Sequence, residues 1–267
     1  LLNGSRGLDN VDQLNATGSM TGHKYDVEEK RMIRIDRERK TDGSLSSFNI
    51  NYITDINVGL LNNDEYVDVI INRYDPTGSN SINVYFGKEP VDGGSSNLNE
   101  ETLIYDQVKV GDGLFDGKVK LADLNNDGKL EILQIGLTND NVTSGTPKLI
   151  IYSYVGNNSF DQTDISDQIA ALSNSSFDLG DVDNDQDLDF VITGFDQSSG
   201  LKSYLYENTS DTGGEFKLEV TDNNFAATRD GSIDFFDYDT DGDLDILITG
   251  TGVSGDIFEI YVNKLNE

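Results

Sequence analysis

The sequence predicts an all-β protein assembled from repeats of about 60 residues. A run of alternating acidic residues that leads directly into a short apolar strand occurs three times along the 267 residues. A weaker copy precedes these three, and the four copies begin at positions 60, 123, 181 and 237, which gives intervals of 63, 58 and 56 residues. The chain is also rich in Gly, Asn, Asp and Ser, as expected when many short strands are joined by turns.

The acidic runs have the composition of metal-binding loops. Acidic residues occupy every second position from Asp181 to Asp189, and such a row of like charges repels itself unless a cation lies within it. Carboxylate and amide oxygens, with no thiolate or imidazole among them, select a hard cation. Six to eight flexible oxygen ligands at about 2.3–2.6 Å suit Ca²⁺ better than the strictly octahedral Mg²⁺. We therefore expect about three calcium ions, one in each loop.

Each nine-residue loop is predicted to supply side-chain ligands from positions one, three, five and nine and a main-chain carbonyl from position seven. The predicted ligands are Asp123, Asn125, Asp127, Lys129 and Glu131 in the first loop, Asp181, Asp183, Asp185, Asp187 and Asp189 in the second, and Asp237, Asp239, Asp241, Asp243 and Asp245 in the third. Position six makes a sharp turn and is Gly128 or Gly242 in two loops. Gln186 stands there in the second loop, where a Cβ at positive φ would weaken the site.

The loops are not EF-hands. An EF-hand needs a bidentate Glu at its twelfth position and a helix on either side. The twelfth position is Gln134, Ile192 or Ile248 here, and each loop is followed by alternating or apolar β-branched residues. This pattern predicts a loop that leads into a strand.

The pattern Asp-x-Asp-x-Asp-Gly-x-x-Asp followed by an apolar strand resembles the calcium loop of FG-GAP/VCBS-type repeats. These repeats build β-propellers in the heads of integrin α-subunits and in many secreted bacterial proteins. The resemblance implies a β-propeller in which each loop joins the first two strands of a blade. It also implies that the residues named above bind calcium, with Lys129, Asp187 and Asp243 using their carbonyls. Glu131 and Gln186 depart from the family pattern.

The period of the copies fits four short strands and their turns, which is the length of a propeller blade. We predict one β-propeller domain or segment over 1–267 with four to five blades. The resemblance implies that these blades belong to a larger propeller of seven blades. The predicted divisions are a degenerate blade at 1–59, blades at 60–122, 123–180 and 181–236, and a partial blade at 237–267. The loop at 60–68 has Leu60 in place of the first ligand and is expected to be empty or weak.

Composition excludes several classes of partner. The 49 acidic residues against 19 basic ones give a net charge of −30, so nucleic acids and anionic membranes would be repelled. The sequence contains no apolar run of about 18 residues, so membrane insertion is not predicted. The chain has no Cys, so calcium takes the stabilising role that disulfides could play. Such sites fill where Ca²⁺ is millimolar, which favours an extracellular or cell-surface location.

Catalytic signatures are weak. The only histidine is His23, and the chain has neither a Cys nor a Gly-x-Ser-x-Gly nucleophile motif. We expect a binding or adhesion module for a protein or glycan ligand, not an enzyme. A carbohydrate-active enzyme, or its non-catalytic domain, stays the alternative because sequence does not distinguish a catalytic carboxylate pair from calcium ligands. The tyrosines that recur on the predicted third strands are expected to pack between blades; they are Tyr152, Tyr154, Tyr204, Tyr206 and Tyr261.

Overall fold

Every regular element in the described part of the chain is a β-strand, which confirms the all-β prediction. The computed structural model describes residues 22–26, 31–35, 38–39, 45–46, 52–62, 64–92, 101–140, 145–170, 172–210, 217–222 and 224–265. Two short antiparallel hairpins come first. They are β1 (Gly22–Asp26) with β2 (Arg31–Ile35), and β3 (Glu38–Arg39) with β4 (Leu45–Ser46).

Four antiparallel sheets follow, each built from strands that are consecutive in the chain. The first contains β5 (Ile53–Gly59), β6 (Asp68–Arg73), β7 (Ser81–Asp92) and β8 (Glu101–Gly111). The second contains β9 (Phe115–Ala122), β10 (Glu131–Leu137), β11 (Pro147–Gly156) and β12 (Ser159–Asp164). The third contains β13 (Ser173–Gly180), β14 (Asp189–Asp196), β15 (Gly200–Asn208) and β16 (Leu218–Asp222). The fourth contains β17 (Arg229–Phe236), β18 (Asp245–Gly252) and β19 (Gly255–Tyr261).

The four sheets are arranged as the blades of a four-bladed β-propeller. The first strands of successive sheets contact one another, since β9 contacts both β5 and β13, and β13 contacts β17. The predicted propeller fold is therefore confirmed. In the part of the chain that the structure describes, no helix is long and apolar enough to cross a membrane.

Apolar residues from facing sheets form the core. One cluster joins the first and second sheets through Ile70, Val84 and Ile132, and another joins the second and third through Leu133, Ile151 and Phe190. A third cluster lies between the third and fourth sheets and includes Val191, Ile233, Ile246 and Ile248. The second strands of the first three sheets are buried on both faces along most of their length, which explains their nearly continuous apolar sequence.

The recurring tyrosines belong to this core, as expected from the sequence. Tyr152 and Tyr206 are each only 1% exposed, and each pairs with the residue that follows the last position of the metal loop, Ile132 and Phe190 respectively. The Tyr206 hydroxyl accepts a hydrogen bond of 2.7 Å from the Ala170 N–H, and the Tyr261 hydroxyl accepts one of 2.8 Å from Ala226. Each hydroxyl thus fixes the segment that leads into its own sheet.

The connection between the first and second sheets is closely packed. The amide of Asn72 donates to the Leu114 carbonyl and accepts from the Leu114 N–H, and Gln134 donates to Asn72 at 2.7 Å. A Cβ on Gly113 would lie 1.8 Å from the Arg73 carbonyl oxygen. Only glycine allows the chain to pass this close to the neighbouring strand.

The sheets are offset from the predicted loop-to-loop divisions. Each division was placed at a first ligand, at 60, 123, 181 and 237, whereas each sheet begins one strand earlier, at β5, β9, β13 and β17. Of residues 1–59, predicted as a degenerate blade, the structure describes two hairpins and β5, and β5 belongs to the first sheet.

The fourth sheet differs from the others because it has three strands. No described strand pairs with the outer edge of β19, the position that β8, β12 and β16 occupy in the other sheets. Phe258 on this strand is 72% exposed, and Val253 in the preceding turn is 89% exposed. Among the described strands, the outer edge of this sheet therefore has no partner, and the sheet presents apolar side chains to solvent.

Candidate metal centres

The four nine-residue loops occupy the same place in each sheet, between its first and second strands. Loop 60–68 joins β5 to β6, loop 123–131 joins β9 to β10, loop 181–189 joins β13 to β14, and loop 237–245 joins β17 to β18. The last residue of each loop is also the first residue of the second strand, so the sheet fixes the position of its side chain. This is the placement that the repeat pattern predicts.

Two loops gather three carboxylates each around a common point. Asp181, Asp183 and Asp189 each offer a carboxylate oxygen, and these oxygens lie within 4.8 Å of one another. Asp237, Asp239 and Asp245 form the equivalent group in the next loop. They occupy positions one, three and nine, so the structure brings together three of the predicted side-chain ligands in each of these two loops.

Loop 123–131 is arranged differently. Its three acidic residues do not form such a group, and its third position is the amide Asn125. The Asp127 carboxylate instead accepts a hydrogen bond of 3.0 Å from the Lys129 ammonium. Asp123 accepts hydrogen bonds from the N–H groups of Asp127 and Gly128, as Asp181 does from those of Asp185 and Gln186, so the difference lies in the ammonium. A cation that binds Asp127 would have to displace the Lys129 ammonium. Of the three predicted sites, loop 123–131 therefore has the geometry least suited to binding a cation.

Loop 181–189 has an additional carboxylate close to the group. The Oδ1 atom of Asp187 is buried and has no hydrogen-bond partner. Desolvation, reinforced by the neighbouring Asp185, raises the pKa of Asp187 to about 7. We had assigned Asp187 as a ligand through its carbonyl, and that assignment stays a prediction. The buried carboxylate oxygen without a partner is consistent with a positive charge at this site.

The acid at position nine also has a structural role. Asp189 is fully buried and accepts hydrogen bonds from the N–H groups of Val182, at 2.8 Å, and Asn208, at 2.9 Å. Asp245 accepts equivalent bonds from Tyr238 and Asn263, both at 2.7 Å. One carboxylate thus fastens the start of its loop to the end of the third strand. Desolvation raises the pKa of Asp189 to about 6 and that of Glu131 to about 7.

Loop 60–68 has the same two hydrogen bonds to its last residue but lacks the group of three carboxylates. Asp68 is fully buried and accepts hydrogen bonds from the N–H groups of Leu61, at 2.7 Å, and Gly87, at 2.9 Å. Leu60, in the position of the first ligand, is 43% exposed. The described residues of this loop contain no group of three acids that could hold a metal. That the loop stays empty remains a prediction.

Two positions in each metal loop have a left-handed backbone. Position six has φ values of 83° at Gly128, 79° at Gln186 and 95° at Gly242. Gln186 therefore meets the condition under which a Cβ at this position adds strain. Position four is left-handed as well, at Asn126, Asn184 and Thr240. The sequence analysis did not use position four, although Asn tolerates this conformation better than most residues.

The donor set fits a hard divalent cation. All atoms that converge in loops 181–189 and 237–245 are carboxylate oxygens, which are ligands that Ca²⁺ prefers. A protein-family comparison agrees with this geometry, because the family described as FG-GAP-like repeat matches residues 181–248. Residues 181–248 carry an FG-GAP-like propeller repeat. The matched segment runs from the first ligand of one loop through the whole of the next, so it includes both carboxylate groups.

The strand arrangement of the matched segment recurs elsewhere in the structure. The first and second sheets have the same strand order and the same loop between their first two strands. Among curated proteins, none matches the chain. The propeller repeat is typical of a protein-interaction role, which agrees with the predicted binding function at this general level.

A cleft of about 410 Å³ lies between the third and fourth sheets, beside loop 181–189. Leu205, Ile246 and Tyr261 contribute apolar surface to the cleft, and Asp183 and Glu207 contribute carboxylates. It extends to the C-terminal residues 262–265, which follow β19. One of the predicted calcium ligands, Asp183, therefore also lines this cleft.

Proposed function

We propose that this chain is an extracellular protein-binding module whose propeller is stabilised by calcium. The observation that carries the proposal is the convergence of Asp181, Asp183 and Asp189, repeated by Asp237, Asp239 and Asp245, within 4.8 Å. Three like charges at this separation disfavour the folded state, and a bound divalent cation reverses the sign of that contribution. Millimolar calcium is found outside cells, which is the reason for the proposed location.

Calcium binding is tested by melting the protein with and without the ion. A ligand that binds only the folded state stabilises it by about 2.7 kcal/mol per site at a concentration of 100 Kd. For a chain of this size each kcal/mol raises Tm by roughly 2–4 °C. We expect calcium to raise Tm and a chelator to lower it, with the gain reduced in Asp181→Asn and Asp237→Asn. An unchanged Tm together with no calorimetric binding would refute the proposal.

The cleft between the third and fourth sheets is the proposed contact site for the partner. Its apolar surface suits an apolar side chain of a partner protein, and its contact with Asp183 connects partner binding to the calcium loop. Leu265 lies at the cleft and is 47% exposed, so Leu265→Asp should weaken partner binding without lowering Tm. Val155→Asp, at an exposed apolar residue that does not line the cleft, is the matched control. Equal partner binding by both variants would place the contact elsewhere.

The module is proposed to act by binding, without catalysis. The purified chain should show no turnover on a panel of polysaccharides, whereas partner binding should be lost when calcium is removed. Turnover that disappears when one carboxylate outside the loops is neutralised would favour the carbohydrate-active enzyme instead.

A further inference from the structure

Two asparagines connect successive metal loops to one another. Asn126, at position four of loop 123–131, donates a hydrogen bond of 2.9 Å from Nδ2 to the main-chain oxygen of Gln186 in the next loop. Asn184, at position four of loop 181–189, donates one of 2.7 Å from Nδ2 to the Asp243 carboxylate in the loop after that. These are contacts between loops about 60 residues apart in the chain.

Each connection joins the ligand-bearing part of one loop to the ligand-bearing part of the next. Asn184 lies between Asp183 and Asp185, at positions three and five of its own loop. Its acceptor, Asp243, is at position seven of the following loop and is fully buried. Asn126 likewise lies between Asn125 and Asp127, and its acceptor peptide immediately precedes position seven. Both donors require the left-handed backbone at position four, with φ of 55° at Asn126 and 62° at Asn184.

We propose that these asparagines are positioning residues that couple the loops, so that a cation bound in one loop strengthens cation binding in the next. The inference rests on the proposed calcium function. A cation in loop 181–189 orders the segment from Asp183 to Asp185 and thereby fixes the Asn184 amide. The amide then holds Asp243, so that loop 237–245 loses less conformational freedom when it binds its own cation. Coupling of this kind is reciprocal between the two sites.

Repulsion between the bound ions acts in the opposite direction. At physiological ionic strength the Debye length is about 8 Å, so repulsion between exposed charges that lie farther apart than this is largely screened. The hydrogen bond, by contrast, is direct and part-buried. Removing the amide isolates its contribution, because the two ions and their separation stay the same.

Loop 237–245 supplies both a control and a reporter. Thr240 stands at its position four with the same left-handed backbone, φ 63°, but no described loop follows it. Tyr238, at position two, is 57% exposed, whereas the residues at that position in the other loops are Leu61, Leu124 and Val182. Terbium luminescence excited through tyrosine should therefore report on this loop, and Tyr238→Phe should remove the signal.

The experiment measures terbium binding to loop 237–245, with calcium as competitor, in chains whose loop 181–189 is intact or disabled by Asp181→Asn with Asp183→Asn. Disabling that loop should weaken binding at loop 237–245 by about fivefold or more, the lower end of typical coupling between sites. In an Asn184→Gly background the same change should have no effect. Thr240→Gly should retain the coupling. Asn126→Gly provides a second test at the preceding connection, read as weaker calcium binding in loop 181–189.

The outcomes separate the two proposals. If the wild-type chain binds neither terbium nor calcium, the proposed function fails together with the coupling. If both loops bind but disabling loop 181–189 leaves loop 237–245 unaffected, only the coupling is wrong. A loss of affinity that persists in Asn184→Gly would likewise show that the asparagine does not transmit it. Far-UV circular dichroism of each variant verifies that the strands are intact.

Discussion

The buried acid at position nine should contribute to stability in two separable ways. Asp68 and Asp189 each accept two main-chain N–H bonds, at 2.7 and 2.9 Å for Asp68 and at 2.8 and 2.9 Å for Asp189. Only Asp189 also belongs to a group of converging carboxylates. Asp68→Asn and Asp189→Asn therefore make the same change in a loop without a predicted cation and in a loop with one.

The magnitude follows from the hydrogen bonds. Asparagine keeps one acceptor oxygen but turns an NH₂ group toward the second N–H donor, and leaving a buried donor unsatisfied costs about 1–3 kcal/mol. Loss of the charge relieves part of the desolvation that raises the pKa of both aspartates, so we expect the lower half of that range. At roughly 2–4 °C per kcal/mol, a cost of about 1–2 kcal/mol means that both variants should lose roughly 2–8 °C in the presence of chelator.

Calcium should then separate the two variants. At a calcium concentration of 100 Kd, wild type gains about 2.7 kcal/mol from the site in loop 181–189. Asp189→Asn forfeits most of this gain, so its deficit relative to wild type should grow by roughly 5–10 °C, whereas the deficit of Asp68→Asn should stay constant. The measurement is a thermal melt followed by circular dichroism, with chelator and with calcium. Equal growth of both deficits, or of neither, would show that position nine does not have the two roles assigned to it.

Three further perturbations test other parts of the structure. Without metal, Glu131, Asp187 and Asp189 have pKa values raised to about 7, 7 and 6, so the folded state takes up protons near neutral pH that the unfolded state does not. Stability of the metal-free protein should therefore rise as pH falls from about 7 to 5, while that of the calcium-loaded protein should fall as protons compete with the ion; parallel slopes would contradict this. Gln186→Gly should relieve the strain at φ 79° and raise Tm by roughly 2–4 °C, and a lower Tm would show that the side chain has another role. Gly113→Ala should lower Tm by several degrees, because its Cβ would meet the Arg73 carbonyl oxygen at 1.8 Å, and an unchanged Tm would mean that the two strands can separate freely.

The local structure of each repeat could be predicted from the sequence, whereas most contacts between sheets could not. The acidic alternation from Asp181 to Asp189, followed by an apolar run, was sufficient to predict a loop, the strand after it and the period of the repeat. Gly59 and Gly180 precede their loops, and a Cβ on either would lie 2.6 or 2.7 Å from a leucine of the following sheet, Leu121 or Leu244. Such contacts depend on how one sheet sits on the next, which no single repeat specifies.

The candidate sites show the same division. Spacing alone treats loops 123–131 and 181–189 as equivalent, but the structure pairs Asp127 with Lys129 in the first and gathers three carboxylates in the second. The hydrogen-bonding role of the acid at position nine could not be predicted from the sequence either. The N–H groups that Asp189 binds come from Val182 in the loop and from Asn208 on the third strand. Asn126 and Asn184 had a signal in the sequence, since Asn at a fixed place in a turn is typical of a left-handed backbone.

No described strand covers the outer edge of β19, and this has a consequence for the behaviour of the chain in solution. A strand with one free edge is a template on which a second molecule can extend the sheet, and Phe258 and Val253 would add apolar contact to such an assembly. Asp256 and Glu259 lie exposed on the same strand, and in a pairing between two identical copies these charges would face one another across the new interface. The acidity of the chain therefore protects it against aggregation at the one sheet that lacks a fourth described strand.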